Sequence, residues 1–403
     1  MSYLNRDIWW FQKGSCNKVI ESWNAGNNAA VLVAPPGSGK TVMADMINKH
    51  VGFERPVCVT HTLGLVDNFK TRTGIDTYTV QECLHKGGIP GKRPDLVIWD
   101  ECHHSGAEGW GTVLDMAPKS AFKLGLTGTP QRSDGKALDR FDDMIVAAHY
   151  SELLMAGTIV PYRCLHPKEF RADAEPDPAL AYKNYGEEKK AIFYCRSIEQ
   201  ADDVARALGK RKAAVWHSEL PWKGKEGRLV NLQRFKAGEL QCLVTVDALS
   251  EGVDIPDSEV VVLAVPCHNV GTYLQKTGRG GRSAPGKTFA TLLDLSGAHL
   301  RHGPPTEDRE YSINGTGIER IYQGGGKGNG WGNVDRSERE PVDRGSYDAE
   351  LVVGYDWRAP SPEDKRKTLG WLVQAAGRRG FTQDIAEQAF QVIFGEAPPV
   401  AAQ

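Results

Sequence analysis

Short runs of apolar, often β-branched residues alternate along this chain with stretches whose apolar residues recur at helical spacing. Such alternation is typical of parallel sheets built from strand–helix–strand crossover units. The predicted strands are 29–34, 56–60, 95–99, 122–126, 190–194, 213–216, 240–245, 260–265 and 288–293. We expect them to form two sheets rather than one. The predicted fold class is therefore α/β.

Changes in composition along the chain indicate where one domain gives way to the next. The segment 167–188 is rich in proline and acidic residues, which predicts a linker or a surface excursion between the sheets. After about Asp294 the strand pattern fades, and six glycines within 324–332 indicate a flexible segment. Apolar residues return at helical spacing in 363–379 and 384–394. We predict domains over 1–160 and 161–300, followed over 301–403 by the glycine-rich segment and a small helical extension.

The 403 residues have the composition of an ordinary globular protein, with 40% hydrophobic and 25% charged residues. The formal net charge of −2 excludes a global basic field, so binding of phosphate backbones would need local charge. No apolar run approaches the roughly 20 residues of a membrane-spanning helix. The first residues also lack the apolar core of a secretory signal. We therefore expect a cytoplasmic protein without a membrane partner.

Eight cysteines are spread along the chain without a CxxC pair, so neither a zinc knuckle nor a redox dithiol is indicated. Several lie inside apolar runs, such as Cys58 in PVCVT and Cys195 in AIFYC. A reduced thiol in such a run behaves as a small hydrophobic side chain. We predict buried structural thiols.

The sequence APPGSGKT at 34–41 directly follows an apolar strand and precedes a helical pattern. Glycines at this point let backbone N–H groups turn toward a phosphate, and the N-terminus of the helix adds its positive dipole. Lys40 is placed to reach the β- and γ-phosphates of a nucleotide, and the Thr41 hydroxyl to ligate Mg²⁺. The loop thus predicts a nucleotide site.

A second candidate site lies in LVIWDECHH, where a predicted strand ends at two acidic residues. Asp100 suits Mg²⁺, usually through water, because this ion keeps much of its hydration shell. Glu101 is the candidate that orients and deprotonates the attacking water. Adjacent histidines point in different directions and make a poor chelate, so we expect a polar coupling role for His103.

Six motifs together resemble those of superfamily 2 helicases and translocases, over about residues 12–294. They are GSGKT (37–41), DECH (100–103), TGTP (127–130), FYCRSIEQA (193–201), SEGVDIP (250–256) and QKTGRGGR (275–282). The wording GLTGTPQRSDG and DALSEGVDIP is most similar to the double-strand translocase and phage-type DEAD/DEAH branch. The second motif does not end in Ala-Asp, as it does in RNA-remodelling DEAD-box proteins.

The resemblance implies two tandem RecA-like domains with ATP and Mg²⁺ in the cleft between them. The first domain would bind ATP through Pro36, Gly37, Ser38, Gly39, Lys40, Thr41 and Asp100, with Glu101 as the catalytic base. The second domain would supply Arg279 and Arg282 as arginine fingers, because the guanidinium fork matches phosphate oxygens. The resemblance also implies that Gln275 reads the γ-phosphate or its water, and that Gly252 and Asp254 contact the ribose and position the fingers.

Gln12 matches the upstream glutamine that reads adenine in many members of the superfamily. The match is partial, because WWFQ lacks the arginine usually found just before the aromatic residue and the glutamine. Arg6 is the substitute that the sequence offers.

A motor that holds any sequence grips nucleic acid through backbone amides, hydroxyls and scattered basic groups. The candidate contacts are Thr60, His61, Thr79, Arg196, Ser197 and Thr245. Ser197 has a second interpretation, because SIEQ is a capping box in which the serine oxygen accepts from N–H groups of its own helix.

The sequence therefore predicts an ATP-dependent helicase or translocase, with DNA favoured over RNA and forked or double-stranded DNA as the substrate. A monomer is expected, with replication or recombination proteins as further partners. The alternative is an ATP-gated nucleic-acid clamp or partner-binding scaffold with little unwinding activity. The intact set of Lys40, Glu101, Arg279 and Arg282 favours the hydrolysing motor.

Overall fold

The computed structural model describes residues 9–91, 93–106, 108–130, 137–171, 173–221, 227–246, 258–313, 319–320, 346–356, 362–378 and 382–394. Gly252, Asp254, Arg6 and the glycine-rich segment 324–332 lie outside the described residues.

The first sheet and its helices form the amino-terminal lobe. Its elements are α1 (Trp10–Asn24), β1 (Ala29–Val33), α2 (Lys40–Val51), β2 (Pro56–Thr60), α3 (Leu63–Thr73), β3 (Asp76–Thr79), α4 (Val80–His85), β4 (Leu96–Asp100), a 3₁₀ helix (Cys102–Gly106), α5 (Glu108–Asp115), β5 (Phe122–Thr127) and β6 (Asp143–Val146). The six strands are parallel, in the order β3-β2-β4-β5-β1-β6. Every residue of β1 and β4 is buried, as expected of a parallel sheet covered on both faces. The loops after β1, β4 and β5 therefore leave the sheet at the same, carboxyl edge.

The second sheet and its helices form the second lobe. Its elements are β7 (Tyr162–Pro167), β8 (Glu175–Pro176), α7 (Pro178–Tyr185), β9 (Ala191–Tyr194), α8 (Ile198–Leu208), β10 (Ala213–Trp216), α9 (Arg228–Lys236), β11 (Cys242–Thr245), β12 (Val260–Leu263), α10 (Val270–Thr277), β13 (Ala290–Asp294), α11 (Ala298–His302), β14 (Arg309–Glu310), β15 (Glu319–Arg320), β16 (Ser346–Tyr347) and β17 (Leu351–Asp356). The sheet runs β10-β11-β9-β12-β13-β7-β17 and is parallel except for β17, which pairs antiparallel with β7.

All nine predicted strands are present, with ends that differ by at most two residues, and the predicted α/β class with two parallel sheets is confirmed. Within the two large sheets, the sequence pattern missed β3, β6, β7 and β17. The interpretation of 167–188 as a linker between the sheets is wrong, because β7 precedes it and already belongs to the second sheet. Within it, α7 buries Ala179, Ala181 and Tyr182 in the core of the second lobe. The chain instead passes between the sheets over 147–161, the connecting segment, which contains α6 (Tyr150–Met155).

A second stretch of chain, the return segment 303–313, also joins the two lobes. At one end, Tyr273 of α10 donates its hydroxyl to Gly303 O at 3.0 Å. At the other end, Leu138 N donates to Ile313 O at 3.0 Å, and Leu138 belongs to the core of the first lobe. The lobes are thus connected both by the connecting segment and by the return segment.

The two C-terminal helices, α12 (Pro362–Arg378) and α13 (Gln383–Phe394), confirm the predicted helical extension. Leu372, Ala376 and Phe390 form a small apolar cluster against Met155 of α6. No helix in the described part of the chain is long and apolar enough to cross a membrane.

All eight cysteines are free and buried. Burial raises the pKa of each thiol for which a shift is resolved, such as Cys16, to about 12, and Cys83, to about 11. The predicted structural thiols are therefore confirmed.

Candidate functional site

The glycine-rich loop 34–39 joins β1 to α2 at the carboxyl edge of the first sheet. Gly37 and Gly39 have φ angles of +93° and +80°, in the left-handed region that glycine adopts without strain. A methyl group on Gly39 would lie only 2.5 Å from Gln12 Nε2. Ser38 Oγ donates to Pro35 O at 2.7 Å and fixes the turn. The loop therefore has the glycine-dependent form that presents backbone N–H groups to an anion.

Lys40 and Thr41 begin helix α2 directly after this loop. The Lys40 ammonium donates to Ala34 O at 3.1 Å, so the side chain is folded back over the loop. A methyl group on Gly128, from the loop after β5, would lie 3.5 Å from Lys40 Nζ. The cation, the hydroxyl and the positive end of the helix dipole thus occur together, which suits a phosphate and its metal ion.

Asp100 and Glu101 lie at the end of β4, facing this loop across the same sheet edge. Burial raises the pKa of the Asp100 carboxyl above its ordinary value, and the neighbouring charge of Glu101 raises it further. Lys40 acts in the opposite direction and stabilises the carboxylate. A buried carboxylate that needs compensating positive charge fits a role as a metal ligand.

Glu101 has a φ of +56°, which is rare for a residue with a side chain. A left-handed backbone at a non-glycine residue costs of order 1 kcal/mol and tends to occur at functional sites. The surrounding structure therefore holds the Glu101 backbone in an unfavourable conformation, next to Asp100.

His103 connects this acidic end of β4 to the loop after β5 and to the second lobe. Its Nδ1 lies 3.0 Å from Thr127 Oγ1 and 3.5 Å from Glu101 Oε2. Its Nε2 lies 3.1 Å from Nε2 of Gln275 in α10. Because an amide nitrogen donates, His103 Nε2 accepts and Nδ1 carries the proton toward Thr127. The predicted polar coupling role of His103 therefore has a geometric basis.

Residues 278–283, the arginine loop, bring the second lobe against the glycine-rich loop. A methyl group on Gly278 would lie 2.7 Å from Pro36 Cγ. The stem of Arg282 passes 3.9 Å from the position of a Cβ on Gly37. Arg279 is buried and Arg282 half-buried at this junction. The structure thus brings together Pro36, Gly37, Gln275, Arg279 and Arg282, which the sequence assigned to one cleft.

Two family models match the chain at these lobes. A model described as the helicase conserved C-terminal domain matches residues 178–284. A model described as the type III restriction enzyme res subunit matches residues 73–132. The matched ranges include the arginine loop and the acidic end of β4.

Individual relatives and structures agree with these models. A 51.5 kDa protein of Lactococcus phage (isolate 7-9) is 24% identical over 343 residues, covering 77% of this chain and 74% of that protein. A putative DNA 3'-5' helicase Rad25 of Halobacterium salinarum is 26% identical over 287 residues, covering 59% of this chain but 46% of that protein. A fragment of a putative HsdR subunit of a type I restriction enzyme from Vibrio vulnificus superposes with a TM-score of 0.57 at 26% identity, covering 73% of this chain and 65% of that one. Together these matches support the assignment of this chain to helicase superfamily 2.

The matches to helicase family models imply the use of ATP and a divalent metal in general. The donor set in this cleft fits both groups, since it contains a buried carboxylate, a hydroxyl and an ammonium beside a glycine-dependent loop. Gly252 and Asp254, which the superfamily resemblance assigned to the ribose, lie outside the described residues.

Gln12 is buried against the glycine-rich loop of this cleft. Its Nε2 donates to Ser38 O at 2.9 Å, and its Oε1 accepts from Trp9 N at 3.2 Å. Its contact with adenine stays a prediction. Sequence reasoning missed Trp9, whose ring stacks on Phe11 with centroids 5.9 Å apart and approaches the position of a Cβ on Gly39 to 3.5 Å. The available signal was the aromatic pair directly before Phe11 and Gln12.

Two threonines among the candidate nucleic-acid contacts end strands at the carboxyl edges of the two sheets. Thr60 ends β2 and Thr245 ends β11. Both residues are fully buried, and within the described structure neither hydroxyl has a hydrogen-bond partner. A buried hydroxyl without a partner is costly, so these two positions favour a ligand or a bound water. His61, next to Thr60, lies with its ring 5.3 Å from that of His104.

The other three candidate contacts already have structural roles. Thr79 Oγ1 accepts from Glu82 N at 3.1 Å and caps α4. Ser197 Oγ accepts from Gln200 N at 3.1 Å, which confirms the capping interpretation for α8. Arg196 forms an ion pair with Glu175. Contact of Thr79, Arg196 and Ser197 with nucleic acid remains a prediction.

Proposed function

We propose that this superfamily 2 protein hydrolyses ATP in the cleft between its lobes and couples hydrolysis to movement along nucleic acid, with forked or double-stranded DNA favoured. The observation that carries the proposal is the contact of Gln275 with His103, which lies 3.1 Å away across the cleft. This contact joins the acidic end of β4 to the helix that precedes both candidate arginines. The name of the Halobacterium relative, a putative DNA helicase, supports DNA over RNA.

Lys40 and the N–H groups at the start of α2 bind the β- and γ-phosphates, and Thr41 and Asp100 hold the metal ion. When bound, Mg²⁺ neutralises charge on these phosphate oxygens. Glu101 orients the attacking water and accepts its proton as the water attacks the γ-phosphorus. The strained backbone of Glu101, with φ of +56°, supports a role that needs a fixed carboxylate position.

Arg279 and Arg282 stabilise the charge that spreads over the γ-phosphate oxygens as the bond to the leaving ADP breaks. Such arginines contribute a factor of roughly 10³ to 10⁵ in rate. Because they belong to the second lobe, their contribution depends on how the lobes are closed. Hydrolysis removes the γ-phosphate that both lobes hold, and the cleft then opens.

The Thr60 and Thr245 hydroxyls offer one grip on the phosphate backbone from each lobe. Both hydroxyls are buried and without partners in the described structure, which supports this assignment. Opening and closing of the cleft changes the distance between the two grips, so the strand moves by alternate release.

The direct test is ATP turnover with single-stranded, double-stranded and forked DNA and with RNA, together with displacement of a triplex-forming strand. We expect stimulation by DNA, strongest with forked or double-stranded substrates, and triplex displacement that requires ATP. Glu101→Gln abolishes turnover and retains ATP binding, while Glu54→Gln, at an exposed acid of the same lobe, leaves turnover unchanged. ATP-dependent DNA binding without stimulated turnover would instead identify the clamp alternative.

A further inference from the structure

Lys287 lies just beyond the arginine loop, in the turn that leads to β13. Its ammonium donates to Ser258 O at 2.7 Å, to Arg282 O at 2.9 Å and to Gly280 O. A lysine ammonium carries three N–H donors, so it can donate to several carbonyls at once. One side chain thereby ties two separate stretches of chain together, the start of β12 and the arginine loop.

The arginine loop contains three glycines, so its shape depends on the groups that pack against it and hydrogen-bond to it. Gly280 and Gly281 carry no side chain and pack against the ring of Tyr162, where a methyl group on Gly280 would lie 2.8 Å from the hydroxyl. Tyr162 in turn donates to Thr277 O, and Ser258 Oγ donates to Arg279 O at 3.2 Å. Without Lys287, the three carbonyl oxygens would lose the ammonium that they share. Buried carbonyl groups without a hydrogen-bond donor are costly. The loop would then relax away from this geometry.

The opposite edge of the arginine loop is fastened to the connecting segment. Val160 N donates to Gly281 O at 2.8 Å, and Ser283 N donates to Thr158 O at 3.2 Å. Ile159, between them, would touch a methyl group on Gly37 at 3.0 Å. The loop is therefore clamped between Lys287 on one side and the glycine-rich loop, through Ile159, on the other.

We propose that Lys287 is a positioning residue for hydrolysis, which holds Arg279 and Arg282 where they can contact the γ-phosphate. The proposal rests on the proposed function. Lys287 donates to backbone carbonyls of the arginine loop and acts through the two arginines. Since a misplacement of 1 Å in a catalytic group costs up to about 100-fold in rate, a loop that has lost its central cation is expected to slow hydrolysis strongly.

The first test replaces the ammonium with an apolar chain of similar length. Lys287→Met is expected to lower kcat for DNA-stimulated ATP hydrolysis by about 100-fold. Affinity for ADP, which lacks the γ-phosphate, stays within about twofold of the unsubstituted protein. Lys287→Arg restores most of the rate, because a guanidinium also donates to several carbonyls. Lys236→Met, at an exposed lysine of the same lobe, is the matched control and leaves kcat unchanged.

A double-mutant cycle separates positioning from general destabilisation. In a background of Arg279→Ala and Arg282→Ala, Lys287→Met is expected to lower the remaining rate by less than about twofold, because it has no arginine left to position. An equal loss in both backgrounds overturns the proposal, as does a normal kcat in Lys287→Met. If Lys287→Met does not fold, Lys287→Gln enters the same cycle with the same criteria. Lack of ATP hydrolysis in the unsubstituted protein contradicts the proposed function itself, whereas a slow Arg282→Ala beside a normal Lys287→Met contradicts the positioning role alone.

Discussion

Gln275 Nε2 lies 3.1 Å from His103 Nε2, so one amide of the second lobe contacts the histidine that also reaches Glu101 and Thr127 in the first. The contact crosses the cleft at residues 172 positions apart in sequence. It gives the acidic pair at the end of β4 a direct way to respond to the position of α10.

Removal of this contact is expected to uncouple hydrolysis from nucleic acid. Gln275→Ala should lower DNA-stimulated turnover by about 10- to 100-fold, because α10, which leads into the arginine loop, loses its fixed position against the first lobe. Affinity for ATP, measured by equilibrium titration, should stay within about twofold. His103→Ala should have a similar effect, and the double variant should be no slower than the slower single variant. Additive losses would contradict the shared contact, and Gln233→Ala on the exposed face of α9 serves as the control.

Because the backbone of Glu101 is strained, we expect Glu101→Gly to increase the stability of the protein and to abolish its activity. Glu101→Gly should raise the free energy of unfolding by about 1 kcal/mol, because glycine adopts a φ of +56° without the steric cost of a Cβ. Glu101→Ala keeps that cost and should show no such gain. Both variants should lack ATP turnover. Urea denaturation checks the prediction, and equal stability of the glycine and alanine variants would show that the backbone there is unstrained.

Asp308 of the return segment makes hydrogen bonds that are expected to stabilise the fold. Asp308 accepts from Ser151 N at 2.8 Å and from Ser151 Oγ at 2.5 Å at the start of α6, and from Arg378 Nη2 at 3.0 Å. Asp308→Asn should lower the free energy of unfolding by about 2 kcal/mol, because the buried side chain loses its negative charge and with it the ion pair to Arg378. Glu310→Gln, at the exposed neighbour, should change it by less than about 0.5 kcal/mol. Equal thermal unfolding midpoints for the two variants would contradict this role.

Most of the fold could be predicted because its central strands are buried on both faces and therefore appear as apolar runs. The missed strands lack that signal. The edge strand β3 has the sequence DTYT, the edge strand β6 has the sequence DMIV with one buried residue, and Arg163 and His166 interrupt the apolar pattern of β7. Strand β17 lies far along the chain from its partner β7, so its pairing depends on tertiary structure that no local pattern carries.

In the candidate site, too, some features could be predicted from the sequence and others could not. Lys40, Thr41, Asp100 and Glu101 follow from motifs with fixed spacing after strands, and the structure brings them to one sheet edge. The partners of these residues do not follow from spacing. Lys287 donates to carbonyls in two separate stretches of chain, and Gln12 donates to Ser38 O, 26 residues away. Such contacts depend on how the two lobes and their loops meet.

In the proposed function, nucleic acid drives ATP hydrolysis in a cleft completed by the second lobe. The most direct measurement is ATP turnover with and without forked DNA, for the unsubstituted protein and for Arg279→Ala. We expect stimulation by DNA in the former and a loss of roughly 10³-fold or more in the latter. Turnover that is indifferent to DNA, or unchanged in Arg279→Ala, would contradict it.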